Sequence, residues 1–411
     1  MRETSLEMKQ LLAESPLRRP AFAGVAAIVF VILFAYGAYN LIWPLYGGAP
    51  RMIQAFVISA LLAILASVPA IFLLWFLDRR EHESPLLLAG AAMWGAVISA
   101  SLSLVFSNTL YGYMLGVAQR NGGMVLGMST SAFTSAVTSP IVEEIVKGIA
   151  ILILFLLLRS DFDDMRDGLL YGAMVGLGFN AAQYTVFLLQ EFALSGTPPY
   201  LSLGSLHFVF AGVNGHLVYS ALLGAGFGLA RQTNNRRLKL LAPLGGIALA
   251  IYANMMMNTL GSKVINEIVR VFTGERLFFA TTPPVIVWVA AAAGNLAAEL
   301  WAYLLLAIAI YQSEHWEIET IRQHLFGEVN IAVTMEEYEQ IQDEKPFRIR
   351  RVAGYPPKIA EAIRSAQNEL AFRKWHTEQA GKNVEEDDLV NAWRARIAQL
   401  RASAESPTLQ S

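Results

Sequence analysis

The chain contains no cysteine, which excludes disulfides, thiolate metal sites, a cysteine nucleophile and a lipid-modified cysteine anchor. Charge is scarce too: 16% of the residues are Asp, Glu, Lys or Arg, against roughly 25% in soluble proteins. The charges nearly cancel, leaving a formal net charge of −2, so the chain is not a basic nucleic-acid binder and no nucleic-acid partner is expected. No small-residue cleavage site follows the first apolar stretch, so that stretch reads as an uncleaved first helix and not as a removable signal peptide.

What fills the sequence instead is apolar residue, 55% of 411. Nearly uncharged runs of about 20 residues recur, the length a helix needs to cross a bilayer. They lie near 22–46, 53–77, 86–106, 137–158, 168–190, 205–230, 238–260 and 284–311. The expected fold is therefore all-α, a polytopic membrane bundle of about eight transmembrane helices. It comprises an N-terminal segment 1–20, a membrane domain 21–311 and a small soluble tail 312–411. Twelve basic residues, from Arg2 to Lys239, fall in segments on one side of the alternating spans; five fall on the other, namely Arg51, Arg120, Lys263, Arg270 and Arg276. The asymmetry places both termini in the cytoplasm. A bacterial plasma membrane is the default setting. Two outer loops are expected to be long, 107–136 and 259–283. In the tail, Pro357–Thr377 and Glu385–Arg401 carry mixed charge at helical spacing; they read as short amphipathic helices without a catalytic motif, suited to binding a cytosolic partner.

An ionisable side chain at the centre of a membrane helix costs roughly 2.5–3.5 kcal/mol on insertion scales, so each one needs a partner or a purpose. In the fourth span, Glu143, Glu144 and Lys147 follow Ser139-Pro140. At about 100° per residue Lys147 projects between the two carboxylates. One can pair with it while the other stays free as a general base; the bland alternative is an ion pair at a helix start. In the fifth span Gly172 and Gly176 form a face for close helix approach, and Asn180 and Gln183 share one side. These amides suit interhelical hydrogen bonding as well as chemistry. His216 and Ser220 lie one turn apart in the sixth span, near Asn214 and opposite His207, with Gly224 and Gly228 beyond. The seventh span carries Asn254 and Asn258, again one turn apart; the last carries Asn295 and Glu299, a carboxylate whose role nothing else in the sequence defines. Glu143, Gln183, Asn254 and His216 stand about 6 to 11 residues from the outer ends of their helices, roughly 9–17 Å deep. Packing residues would scatter in depth. Clustering at one depth implies a shared polar cavity open to the outer face.

With these residues set out, the chain resembles the PrsW family, within the wider superfamily that includes the CAAX-type prenyl-protein endopeptidases. The resemblance runs over 139–258. It rests on Glu143-Glu144-x-x-Lys147, Asp167-Gly168-Leu169-Leu170-Tyr171-Gly172, Gly176-Leu177-Gly178-Phe179, and His216-x-x-x-Ser220-x-x-x-Gly224. It implies an intramembrane endopeptidase that cuts membrane-anchored protein substrates within the lipid bilayer; the best-known members clip an anti-sigma factor and so release a regulatory factor. Carried over, Glu143 or Glu144 activates the attacking water and His216 helps to build the site. Lys147, Asn180, Gln183, Ser220, Asn254 and Asn258 support it or donate to an oxyanion. Two departures stand out: Gln183-Tyr184 occupies the place of a usual Glu-Asn, and Asn254-x-x-x-Asn258 that of a usual H-x-x-x-N. Amide oxygens are poor zinc ligands, and Glu143, Glu144 and His216 alone make a thin metal site. A divalent metal is therefore disfavoured, and no other cofactor is indicated. Two other readings remain open at this point: a catalytically silent relative that binds or regulates membrane partners, and a proton or small-solute transporter, although no inverted repeat is visible.

Overall fold

The computed structural model describes residues 6, 9, 15–43, 50–80, 83–159, 162–201, 213, 215–274 and 284–405. His207 and Asn214 lie outside the described residues, as does the first part of the expected sixth span. The chain divides into two compact units, one of Pro16–Phe76 with Ser84–Ala307, the other of Met1–Ser15, Leu77–Glu83 and Ile308–Ser411.

The first unit is a helical bundle. Its helices are α1 (Pro20–Ile42), α2 (Pro50–Leu77), α3 (Pro85–Arg120), α4 (Ser139–Leu157), α5 (Met165–Ser195), α6 (His216–Gln232), α7 (Arg236–Thr273) and the start of α8 (Pro284–Phe326). Proline opens α1, α2, α3 and α8, where its missing N–H would have had no helical partner anyway. Asp164 and Asp167 form a reciprocal capping box at the start of α5, and Gly196 ends it in the left-handed conformation. Among the described residues, six helices are long and apolar enough to cross a membrane: α1, α2, α3, α5, α7 and α8. The other two expected spans are helices of a different character. The 19 residues of α4 include Glu143, Glu144 and Lys147, and α6 has 17 residues.

Two loops expected from hydropathy are shorter than the sequence suggests. The third helix runs on to Arg120, and a small hairpin pairs Met124–Val125 with Met128–Ser129. Likewise α7 continues to Thr273. Its last three turns are amphipathic, so mean hydropathy misses them, yet Ile265 and Val269 pack on Val287, Ala290 and Ala291 of α8. That burial stabilises a segment whose other face is polar.

The bundle is centred on α5. Of its most apolar 18 residues 61% are buried, against 6% for α1. Its glycines explain why. Gly168, Gly172 and Gly176 recur every fourth residue and lie against the backbone of Gly224, Ser220 and His216 on α6. A Cβ on Gly176 would stand 2.7 Å from the carbonyl carbon of His216 and 2.8 Å from the Cα of Leu217. Backbone-to-backbone contact of this kind is open only to glycine, and it sets the spacing between the helices.

The second unit contains the end of α8, then α9 (Met335–Gln342), α10 (Pro357–Gln379) and α11 (Asp388–Glu405). The last two correspond to the amphipathic segments expected in the tail. Their apolar faces, with Ile363, Leu370, Phe372, Val390, Trp393 and Ile397, close a core together with Ile321, Leu325 and Ile341. Charged side chains are buried here in pairs. Lys374 and Arg394 both donate to Glu328 Oε1, at 2.6 and 2.7 Å. Segment 77–83 belongs to this unit: Arg80, 1% exposed, pairs with Glu314 at 2.8 Å and with Glu344, while Asn368 donates to its carbonyl oxygen at 3.0 Å.

Candidate active site

The polar residues expected to converge are carried by four helices, and most of them meet. Lys147 is fully buried; its Nζ donates to Glu144 Oε1 at 2.7 Å and to His216 Nδ1 at 2.8 Å, and sits 4.7 Å from the centre of the Phe179 ring. An ammonium has only donors to offer, so His216 Nδ1 accepts. Its Nε2 then carries the ring proton and donates to Gln183 Oε1 at 3.0 Å. Three residues earlier on α5, Asn180 Oδ1 accepts from the His216 backbone N–H at 3.1 Å. Asn180 and Gln183 thus hold the histidine at two points from one helix face, and Gln183 does so through a neutral acceptor that leaves the imidazole uncharged.

The two glutamates have different surroundings. Glu144 has a side chain of 0% exposure and lies in the ion pair with Lys147; the Glu143 side chain keeps 13% and faces open space. Asn254 bridges them, its Nδ2 lying 2.9 Å from Glu143 Oε2 and 2.8 Å from Glu144 Oε1. Asn258 in turn donates to Asn254 Oδ1 at 3.2 Å and to the Ser135 carbonyl at 3.0 Å, orienting the bridging amide. The backbone has a π turn at Thr134–Thr138, ahead of Pro140, and another at Met257–Gly261, around Asn258. Such turns re-aim side chains within a continuing helix.

Glu143, Gln183 and Asn258 line a cavity of about 580 Å³. Ser103, Ser107 and Thr134 line it too, and their hydroxyl oxygens have no hydrogen-bond partner among the described residues. Ser220 does not join the cluster: its carbonyl packs on Gly172, and its hydroxyl is also without a partner among the described residues.

A second buried group borders the site. Glu299 of α8, 3% exposed, accepts from the Gly215 N–H at 3.1 and 3.2 Å and from the Tyr219 hydroxyl at 2.7 Å. The Tyr303 hydroxyl lies 3.2 Å from it and 3.1 Å from the Val213 carbonyl. Gly215 has φ +62°, a conformation that favours glycine, and it immediately precedes His216. Glu299 therefore ties down the residue from which α6 starts. Sequence reasoning picked out Glu299 as an intramembrane carboxylate but missed Tyr219 and Tyr303. The one signal for Tyr303 is its place one turn from Glu299, where i and i+4 side chains meet.

Over residues 83–289 the chain matches the model of the PrsW family intramembrane metalloproteases. The chain belongs to that family. Neither a curated protein nor a solved structure matches it. Membership in PrsW makes it a membrane protease, integral and multi-pass, with membrane-anchored protein as its substrate class. Glu299 lies beyond the matched residues.

The family description implies a metal, and this chain's residues can be tested against one. Ligand atoms of Glu143, Glu144 and His216 lie within 4.8 Å of one another. Their inward lone pairs are nevertheless in use: Nδ1 of His216 and Oε1 of Glu144 by Lys147, and Oε2 of Glu143 by Asn254. The neighbouring side chains add amides, which are weak donors to zinc, and a divalent ion would sit beside the Lys147 ammonium. Glu144 Oε2 is buried without a partner among the described residues. The residues present do not fit a metal, because a lysine already supplies the cation that these donors surround.

Proposed function

We propose that the protein is an intramembrane endopeptidase in which Glu143 activates water against a peptide carbonyl. The observation that carries this reading is the division of labour between adjacent carboxylates: Glu144 is enclosed in its pair with Lys147, and Glu143 faces the cavity. Glu143 takes a proton from water as the oxygen bonds to the carbonyl carbon. Collapse of the tetrahedral intermediate breaks the C–N bond, and the proton on Glu143 passes to the departing amine. Gln183 spends its oxygen on His216, so its –NH2 group is available to the developing oxyanion on the cavity side. Lys147 and His216 act on the scissile bond indirectly, by holding Glu144 and Gln183 in place.

A substrate helix must be locally unwound to expose a peptide bond, and the freed backbone groups then need partners. The unpartnered hydroxyls of Ser103, Ser107 and Thr134 on the cavity wall suit that need. The excess of basic residues on one side of the spans supports cytoplasmic termini in a bacterial plasma membrane. The membrane domain 21–311 then carries the catalysis, and the tail 312–411 is exposed to a cytosolic partner.

The test is proteomics of membrane and soluble fractions from cells with the wild-type protein, Glu143→Gln and Glu144→Gln, each with and without a chelator. Fragments of membrane-anchored proteins should appear with the wild type and fall by about 10²–10⁴ with Glu143→Gln, at unchanged protein level. The chelator should have no effect. Cleavage retained in Glu143→Gln removes Glu143 as base; its loss to the chelator would show that a metal is held after all. No fragments with any well-inserted version would favour a catalytically silent, partner-binding relative.

A further inference from the structure

The second unit carries an arginine cluster that proteolysis does not use. A cavity of about 590 Å³ lies between the chain at 349–357 and the first turns of α10, with Arg350, Arg351, Arg364, Tyr355 and Glu361 on its wall. Arg350 and Arg80 are buried and balanced by Glu344 and Glu314. Arg350 also donates to Gln367 and Asn368, at 3.2 and 3.0 Å, but its Nε is buried without an acceptor among the described residues.

Arg364 is less well matched. Its side chain is 7% exposed, yet the groups nearest its guanidinium are the Arg79 carbonyl at 3.5 Å and Glu361 at 4.0 Å, and Glu361 is 66% exposed. Burial, and next the charge of Arg350, push Arg364 below the ordinary arginine range; Arg80 adds to this, and Glu361 and Glu344 oppose it. Guanidinium stays charged in proteins, so a nearly uncompensated cation remains at the wall of an open cavity. A buried charge so weakly balanced is costly, and an anion in the cavity would remove that cost.

We propose that this cavity binds a phosphate-bearing anion, gripped by Arg364 with Arg350 and Arg351. Phosphate suits the place for two reasons. It holds at least one full negative charge at neutral pH, and its tetrahedral oxygens can bridge guanidinium groups that are not coplanar. The space exceeds that of a phosphate alone, so the anion carries a substituent, with Tyr355 beside it. Glu361 repels an anion, and as an exposed side chain it is free to turn to solvent. The phosphate can come from an acidic lipid headgroup or from a soluble compound, and the same experiment separates these.

Full-length protein in dodecyl maltoside is titrated with dioctanoyl phosphatidylglycerol, with inorganic phosphate, and with zwitterionic dioctanoyl phosphatidylcholine as a control. Amide hydrogen exchange at 349–364 and the unfolding temperature are followed. Saturable protection by phosphatidylglycerol alone assigns the site to a lipid headgroup; protection by inorganic phosphate assigns it to a soluble ligand. In either case Arg364→Gln should weaken binding tenfold or more while leaving the ligand-free unfolding temperature unchanged or higher, since it removes an unmatched charge. Arg351→Gln, at an exposed position, should weaken it at least threefold. Protection by neither anion, undiminished binding by Arg364→Gln, or a lowered ligand-free unfolding temperature in that variant would overturn the proposal.

Discussion

Substituting Gly176→Ala tests whether the α5–α6 contact sets the geometry of the site. In a helix interior the change should be favourable, by up to about 1 kcal/mol on propensity alone. Here the new methyl would run into the His216 carbonyl oxygen and lie 2.7 Å from the carbonyl carbon, where ordinary contact begins at 3.4 Å, so the helices must part by at least about 0.7 Å. Asn180 and Gln183 sit on the same helix as Gly176 and hold His216 at 3.1 and 3.0 Å. The same opening takes both to nearly 4 Å, outside hydrogen-bond range. Overpacking of this kind costs about 1–3 kcal/mol, and a misplacement near 1 Å at a reacting centre costs about 10²-fold in rate. Gly245→Ala in α7 is the control, because its Cβ would meet nothing within 4 Å. The two readouts are thermal unfolding of purified protein and release of a substrate fragment in membranes. Gly176→Ala should unfold at lower temperature and cut about a hundredfold more slowly, while Gly245→Ala should be neutral or stabilised. If the two variants behave alike in both assays, the backbone contact does not govern the site and the reasoning fails.

Glu299→Gln should slow cleavage about tenfold with the protein still inserted, since hydrogen bonds to a buried charge are worth about 1.5–3 kcal/mol and these hold Gly215 next to His216; full activity would mean that α6 is anchored without it. In the tail, burial raises the Asp387 carboxyl, but hydrogen bonds from Arg373 and the Val390 and Leu389 N–H groups, with the Arg373 charge, outweigh it and hold the group at about 2. A depressed folded value means that the stabilisation is complete above the ordinary 3.8 and is lost as pH falls toward 2. Amide exchange across 373–391 should therefore quicken between pH 4 and pH 2 in the wild type, and an Asp387→Asn variant should lose that dependence; identical profiles would show that another group controls the segment.

Much of the membrane architecture was legible in the residue order, because a bilayer imposes a length and a polarity on every span whatever its neighbours are. The Glu143-Glu144-x-x-Lys147 motif, the glycines of α5 and His216 could be named for the same reason: ionisable and small residues stand out against an apolar background. Where helices ended was less legible. Hydropathy sees composition, and the last turns of α7 owe their helix to Ile265 and Val269 packing on α8.

Tertiary structure decided the rest. Sequence spacing left Glu143 and Glu144 equivalent around Lys147; the packing of α4 against α6 and α7 buried one and turned the other to the cavity. Residues 69 and 111 positions apart, Lys147 with His216 and Glu143 with Asn254, meet only because α4 packs against both α6 and α7 in the bundle. Ser220 shares a helix face with His216 in sequence, yet in the bundle its backbone packs on Gly172 and its hydroxyl joins no hydrogen bond of the site among the described residues. Periodicity tells which side of a helix a residue is on; the neighbour across from that side is a property of the assembled bundle.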